Sequence, residues 1–254
     1  MRVLIVGEVP FVDLLAGLCL ARSHKVDLFV ADDLEDQAVL DRMVRAAGRC
    51  HVAIESLNES QSGKLWLVEG VEANLAADAV LLVSALAASA TEVASWTEHP
   101  ERVVGYGLLP PIAATGMVEF APALQTDFEM AARARRFWED LGFEVVRVPD
   151  LPGLVRPRMV CSLINEAVRT MAEHNLSVEA MDTALRLGLN HPRGPLTWAD
   201  EIGLDVVVGT LEGLLRTWGE ERYRPAPQLR QRVFAGHLGK KTGRGFYTYE
   251  PAAP

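Results

Sequence analysis

Residues 2–12 read RVLIVGEVPFV: Arg2-Val3-Leu4-Ile5-Val6, then Gly7, then Glu8-Val9-Pro10-Phe11-Val12. An unbroken apolar run that stops at a glycine, followed by a proline able to open a helix, reads as a strand, a tight turn and a helix. The rhythm repeats downstream. Short β-rich runs lie at Arg2–Val6, Val26–Val30, Val52–Glu55, Ala79–Val83, Arg102–Val104 and Glu144–Val148. Helical stretches fall between them at Phe11–Arg22, Leu34–Ala47, Gly63–Leu75, Thr91–Trp96 and Asp127–Leu141. The first four runs are nearly continuous in apolar character, which suits strands buried on both faces of a parallel sheet. Strand and helix in alternation predict a doubly wound α/β domain.

Pro149-Asp150-Leu151-Pro152-Gly153 interrupts that alternation, since two prolines and a glycine continue neither kind of element. Beyond it the pattern is helical throughout: Arg158–His174 with Pro157 at its first turn, Val178–Leu187, Ala199–Trp218 with a break at Gly203, and Gln228–Ala235. The expected architecture is therefore α/β, a doubly wound Rossmann-like parallel sheet domain over residues 1–150, followed by an all-α C-terminal domain over 151–254.

Composition narrows the function classes. The chain has 254 residues, 49% of them hydrophobic and 23% charged, with a net charge of −9. Nucleic acids and anionic membranes both require a basic face, so neither is an expected partner. No apolar run approaches the ~20 residues of a membrane span. The chain enters its first strand with no basic leader before it, which points to a cytoplasmic protein. Cys19, Cys50 and Cys161 are odd in number and far apart, so neither a disulfide framework nor a metal site is expected, and each reads as a buried thiol.

The turn after the first strand is where a dinucleotide-binding fold carries G-x-G-x-x-G, whose glycines let backbone approach a diphosphate and let helix pack on strand. Only Gly7 is present; Val9 and Val12 stand at the second and third glycine positions, and Glu8 adds a negative charge. Asp32 or Asp33, at the end of the second strand, stands where an acid would hold an adenosine ribose. The competing reading is that Gly7 only makes the turn and the aspartates cap the next helix.

The end of the chain, residues 187–250, combines Gly194-Pro195, Asp200, Gly203-Leu204-Asp205 and Lys241-Thr242-Gly243-Arg244-Gly245-Phe246-Tyr247. Together with Asn165-Glu166-Ala167, this resembles the C-terminal domain of the 3-hydroxyacyl-CoA dehydrogenases. The segment His51 to Glu59, with Glu55, Glu59 and then Lys64, resembles the same family's fourth-strand region. Taken without the family, that segment reads as a strand end, a helix with an acidic first turn and an exposed lysine. The resemblance implies an NAD cofactor held by Gly7, Asp32, Glu59 and Lys64, an acyl thioester substrate, and a homodimer formed through the C-terminal domain. Only residues 34–50 lie between Asp33 and His51, room for one helix of ~25 Å. The family's long helical hairpin, which touches coenzyme A, does not fit in that space.

The resemblance also locates the chemistry. The family moves a proton at the C3 oxygen with a histidine oriented by a glutamate twelve residues later. Here Gly105-Tyr106-Gly107-Leu108-Leu109-Pro110-Pro111 leads to Glu119, so the glutamate is present and Gly107 stands at the histidine position. Leu86 stands where the family has a serine that bonds the substrate oxygen, and Pro157, before Arg158, where it has a substrate-facing asparagine. Ser84, Arg158 and His191 remain along the implied substrate cleft. His191, in the Asn190-His191-Pro192-Arg193-Gly194-Pro195 turn, and His99 are the candidates for a substitute base. The resemblance thus implies NAD(H)-linked interconversion of 3-hydroxyacyl and 3-oxoacyl thioesters, of weak or altered activity. The alternative is a non-catalytic relative that binds a ligand or partner in the former active-site cleft.

Overall fold

The computed structural model describes residues 1–112 and 116–250. They form two compact units, one ending at Val155 and one beginning at Arg156. In the first unit the elements run β1 (Arg2–Gly7), α1 (Phe11–Ala21), β2 (Lys25–Val30), α2 (Gln37–Ala47), β3 (Val52–Ser56), α3 (Gln61–Glu72), β4 (Val80–Ser84), α4 (Ala90–Ala94), β5 (Val103–Gly107), β6 (Met117–Pro122), α5 (Phe128–Asp140) and β7 (Glu144–Arg147).

The sheet has the order β2-β1-β3-β4-β5-β6-β7. Every neighbouring pair is parallel except β5 and β6. Strands β3, β4 and β5 are buried along their whole length, while the edge strands β2 and β7 are only partly covered. Alternate side chains divide between two cores, as the period of a strand requires. Leu4, Val6, Leu81 and Val83 pack with Met43 of α2, Leu67 and Val68 of α3, and Val93 of α4. Val3, Ile5, Leu82 and Val104 pack on the other face with Val12 and Leu15 of α1 and Phe137 and Trp138 of α5.

One strand departs from the sequence reading. Met117–Pro122 forms β6, antiparallel to β5, with Gly107 paired to Glu119. A carboxylate in the middle and a proline at the end hide it from a reading based on apolar runs, yet four of its six residues are buried.

The second unit comprises α6 (Arg156–His174), α7 (Val178–Gly188), α8 (Pro195–Ile202), α9 (Leu204–Trp218) and α10 (Pro227–Phe234). Gly203, at φ +104°, makes the break between α8 and α9, a conformation open to glycine at little cost. Asn165 on α6 is buried. It accepts from the Ala226 N–H at 2.8 Å and donates to the Arg224 carbonyl at 3.0 Å, tying the extended segment before α10 to the long helix. The glycine-rich tail is tied down by Asp200, whose carboxylate accepts the N–H groups of Phe246 (2.8 Å) and Tyr247 (2.9 Å) and the Tyr249 hydroxyl (2.9 Å). Gly245 lies directly against that carboxylate, where a Cβ would meet its oxygen. No helix among the described residues is long and apolar enough to cross a membrane.

Candidate functional site

In a doubly wound sheet, ligands bind outside the carboxyl ends of the strands, at the point where strand order reverses. Here the order reverses between β1 and β3. Gly7 closes β1 at φ +150°, and a Cβ there would stand 2.7 Å from the Ser56 carbonyl carbon of β3, so the turn from β1 toward α1 requires glycine.

The residues after Gly7 do not suit a diphosphate. A helix N-terminus binds anions through free backbone N–H groups. Pro10 has no N–H to offer, and the Val12 N–H donates to the Glu8 carbonyl at 3.2 Å. The Val12 side chain is fully buried in the core beneath α1. The Glu8 side chain folds over the strand ends, and its Oε1 accepts from both the backbone N–H and the Nδ2 of Asn58, each at 2.9 Å. The residues present therefore do not fit the diphosphate of a dinucleotide.

The carboxyl end of β2 differs. Ala31, Asp32, Leu57, Glu59, Ser60 and Trp66 are among the residues lining a cavity of about 320 Å³. Asp32 is exposed there, on the single turn Ala31–Glu35 after β2. The next helix, α2, is capped by Asp36, which accepts from the Ala38 N–H at 2.7 Å, so the capping role falls to neither Asp32 nor Asp33. Lys64 is turned away from this cavity into the protein. It is 1% exposed, pairs with the Glu55 carboxylate and donates to the Leu57 carbonyl at 3.0 Å. The exposed lysine expected from the segment alone is corrected to one buried between β3 and α3, because the Glu55 charge in the sheet requires a partner there. Burial raises the Glu55 pKa, opposed by the Lys64 charge and by the N–H groups of Leu57 and Ser84. Tyr106, wholly buried, donates its hydroxyl to the Glu55 carbonyl at 3.0 Å. Its own ionisation is pushed well up by burial and by the nearby Glu55 and Glu8 charges.

Gly107 and Glu119, the positions that the resemblance assigns to proton transfer, lie on the β5–β6 pair. Gly107 is paired with Glu119, and a Cβ on Gly107 would stand 3.2 Å from Glu119 Oε2. A side chain at 107 would thus meet the glutamate, as the spacing in sequence implies. It would also meet Leu154: the same Cβ would lie 2.6 Å from Leu154 Cδ1. Leu154 is buried, at φ +46° in the turn closing the unit, and packs with Ala85 and Ala121. Glu119 is 1% exposed and accepts from the Val155 N–H at 3.3 Å. None of this unit's histidines stands at that place. His24 pairs with Asp140, His51 accepts from the Arg2 N–H, and His99 is exposed beside Glu101.

The remaining candidates have local roles. Leu86 is fully buried, and Ser84 is 1% exposed with its hydroxyl donating to Asn58 Oδ1 at 2.6 Å. In the second unit Arg158 stacks over Trp218 at 4.8 Å and over Tyr223 at 5.3 Å, and donates to the Tyr223 hydroxyl. His191 is partly buried in the turn before α8. A larger cavity of about 610 Å³ is lined by Ser89, Thr91, Leu124, Arg147 and Asp150 among others. Its acid, Asp150, caps α4 through the N–H groups of Ala90 and Thr91, both at 2.7 Å, and so serves the helix.

Sequence reasoning did not find Asn58, Ser56 or Leu154. Each matters through a neighbour about 47 to 50 positions away, which local spacing does not register.

Two family models match the chain. The C-terminal domain of 3-hydroxyacyl-CoA dehydrogenase matches residues 153–249, and the family's NAD binding domain matches 21–151, so the Gly7 turn lies outside the match. A probable 3-hydroxybutyryl-CoA dehydrogenase of Bacillus subtilis is 35% identical over 223 residues, 86% of this chain and 78% of that protein. The 3-hydroxybutyryl-CoA dehydrogenase of Bradyrhizobium diazoefficiens is 35% identical over 205 residues, 81% of this chain and 70% of that protein. Among solved structures, FadB2 of Mycobacterium tuberculosis is similar with a TM-score of 0.81 at 28% identity, covering 98% of this chain and 99% of that one. The (S)-3-hydroxybutyryl-CoA dehydrogenase of Ralstonia eutropha is similar with a TM-score of 0.75, also at 28% identity and with the same coverage. With both domain models matched, and relatives 35% identical over most of its length, this chain belongs to the 3-hydroxyacyl-CoA dehydrogenase family.

Proposed function

We propose that this protein is a 3-hydroxyacyl-CoA dehydrogenase-family member of weak or altered oxidoreductase activity. Its nominal reaction is the NAD(H)-linked interconversion of short 3-hydroxyacyl and 3-oxoacyl thioesters. The substrate class is supported by relatives named as 3-hydroxybutyryl-CoA dehydrogenases. The observation that carries the reading is Leu154 filling the space beside Gly107, in front of Glu119. Reduction of a ketone needs a group that gives a proton near neutral pH, held within hydrogen-bond reach of the oxygen. Glu119 keeps the orienting position, and the group it would orient has become a hydrogen atom.

A second reading is favoured by Glu8 and Asn58. A carboxylate bound where strand order reverses supports a non-catalytic relative that holds a ligand or partner without turning it over. In either case we propose a homodimer formed through the helical unit, supported by the exposed side chains of Met159, Leu187, Leu189 and Phe234. Three free buried thiols fit a reducing, cytoplasmic setting.

Turnover of acetoacetyl-CoA with NADH, measured beside an ordinary family member, tests the main reading. The expected rate is at least tenfold below that enzyme, and a rate within tenfold would overturn it. NADH titration followed by protein fluorescence then separates the two readings: saturable binding supports the altered enzyme, and its absence supports the binding protein.

A further inference from the structure

The carboxyl ends of β1, β3 and β4 are joined by a chain of side-chain hydrogen bonds. Glu8 Oε1 accepts two bonds from Asn58 at 2.9 Å, Asn58 Oδ1 accepts from the Ser84 hydroxyl at 2.6 Å, and Asn58 Nδ2 also reaches the Ser56 carbonyl at 3.3 Å. All three members are nearly closed to solvent: Glu8 is 6% exposed, and Asn58 and Ser84 are 1% each. A backbone N–H and an amide N–H converging at the strand-order reversal are the kind of donors that hold an anion. Here the anion belongs to the protein.

We propose that Glu8 is a specificity-determining residue: its carboxylate is a built-in anion that fills the donors of Asn58 and excludes ligands carrying a diphosphate at this point. The inference rests on the reading of the chain as a non-catalytic binding relative and names its cause. Three features act together. The carboxylate uses the donors a phosphate oxygen would use. Its charge repels a phosphate across a poorly solvated space. The Lys64 ammonium, on the helix after Asn58, is already paired with Glu55 and bonded to the Leu57 carbonyl, and so is turned away from a phosphate. Glycine at position 8 would leave the donors open; valine at 9 and 12 would still narrow the approach.

The test compares the parent chain with Glu8→Gln, which keeps an acceptor for Asn58 and removes the charge, and Glu8→Ala, which also frees the donors. Calorimetric titrations use ADP-ribose, NADH and adenosine, and thermal melting checks the fold of each variant. ADP-ribose and NADH should bind Glu8→Ala at least tenfold more tightly than the parent, with Glu8→Gln in between, while adenosine, which has no phosphate, changes by less than twofold. If Glu8→Ala does not fold, a gain for the phosphate ligands in Glu8→Gln carries the same conclusion. Low-micromolar binding of NADH by the parent would overturn both the binding-relative reading and the role of Glu8. A parent that binds no NADH, with no gain in either variant, would overturn the role of Glu8 and leave that reading standing. An equal gain for adenosine would show that Glu8 acts by bulk alone, and would also overturn the proposal.

Discussion

Leu154 Cδ1 would stand 2.6 Å from a Cβ placed on Gly107, and Glu119 Oε2 would stand 3.2 Å from it. The glycine on β5 and the leucine of the closing turn are thus fitted to each other. A histidine placed at 107 meets a packed wall, and overpacking of a close-packed core costs about 1–3 kcal/mol. Gly107→His should lower the melting temperature, and Gly107→His with Leu154→Gly should be more stable than the two separate effects predict. A coupling of about 1 kcal/mol or more in denaturant titrations would verify the contact. Strict additivity would mean that Leu154 does not occupy the site.

Lys64 and Glu55 form a buried ion pair, and removing one partner of such a pair destabilises a protein by about 3–5 kcal/mol because the other charge is left in the interior. Lys64→Met should show a loss of this order in urea titrations, and Lys64→Met with Glu55→Gln should recover at least half of it. Burial already raises the Glu55 pKa, and without Lys64 the neutral carboxyl becomes the favoured folded form. The folded state then binds more protons than the unfolded one, so the deficit should shrink as pH falls toward the ordinary carboxyl value of 4.5. A deficit independent of pH would argue against a buried Glu55 charge.

All three cysteines are buried and free, and burial pushes Cys19 up to about 12, Cys50 to about 11 and Cys161 to about 12. The thiolate is the reactive species, so native protein at pH 8 should react with an aromatic disulfide reagent at least a hundredfold more slowly than denatured protein. One thiol reacting at the rate of free cysteine would identify a local opening of the element that carries it.

Tyr247 donates its hydroxyl to Asp182 Oδ2 at 3.0 Å, and burial together with the Asp182 charge raises its pKa from 10.0 to about 12. Its neutral form is favoured in the folded state. The stability it contributes is complete below pH 10 and is lost as pH rises from 10 through about 12. Melting temperatures measured across that window should fall less steeply for Tyr247→Phe than for the parent. Equal slopes would show that the tail tyrosine ionises as it does in an unfolded chain.

The alternation of apolar runs with helical stretches already specified the doubly wound sheet, because a strand buried on both faces must be apolar at every position and a helix on its face must be apolar every third or fourth. Gly203 and Gly245 were legible as places where the backbone must turn or approach closely. Strand β6 was not, since its burial depends on pairing with β5 and on Leu154 and α5, not on its own pattern. At the candidate site the sequence alone determined which residue types are present: one glycine in the turn after β1, Gly107 where the family resemblance implies a histidine, and a glutamate twelve positions on. Only the tertiary structure decided what fills the space around these positions. Glu8 reaches Asn58 and Leu154 reaches Gly107 because sheet pairing brings distant segments within van der Waals and hydrogen-bond range, and those short-range forces leave no trace in the spacing of residues along the chain.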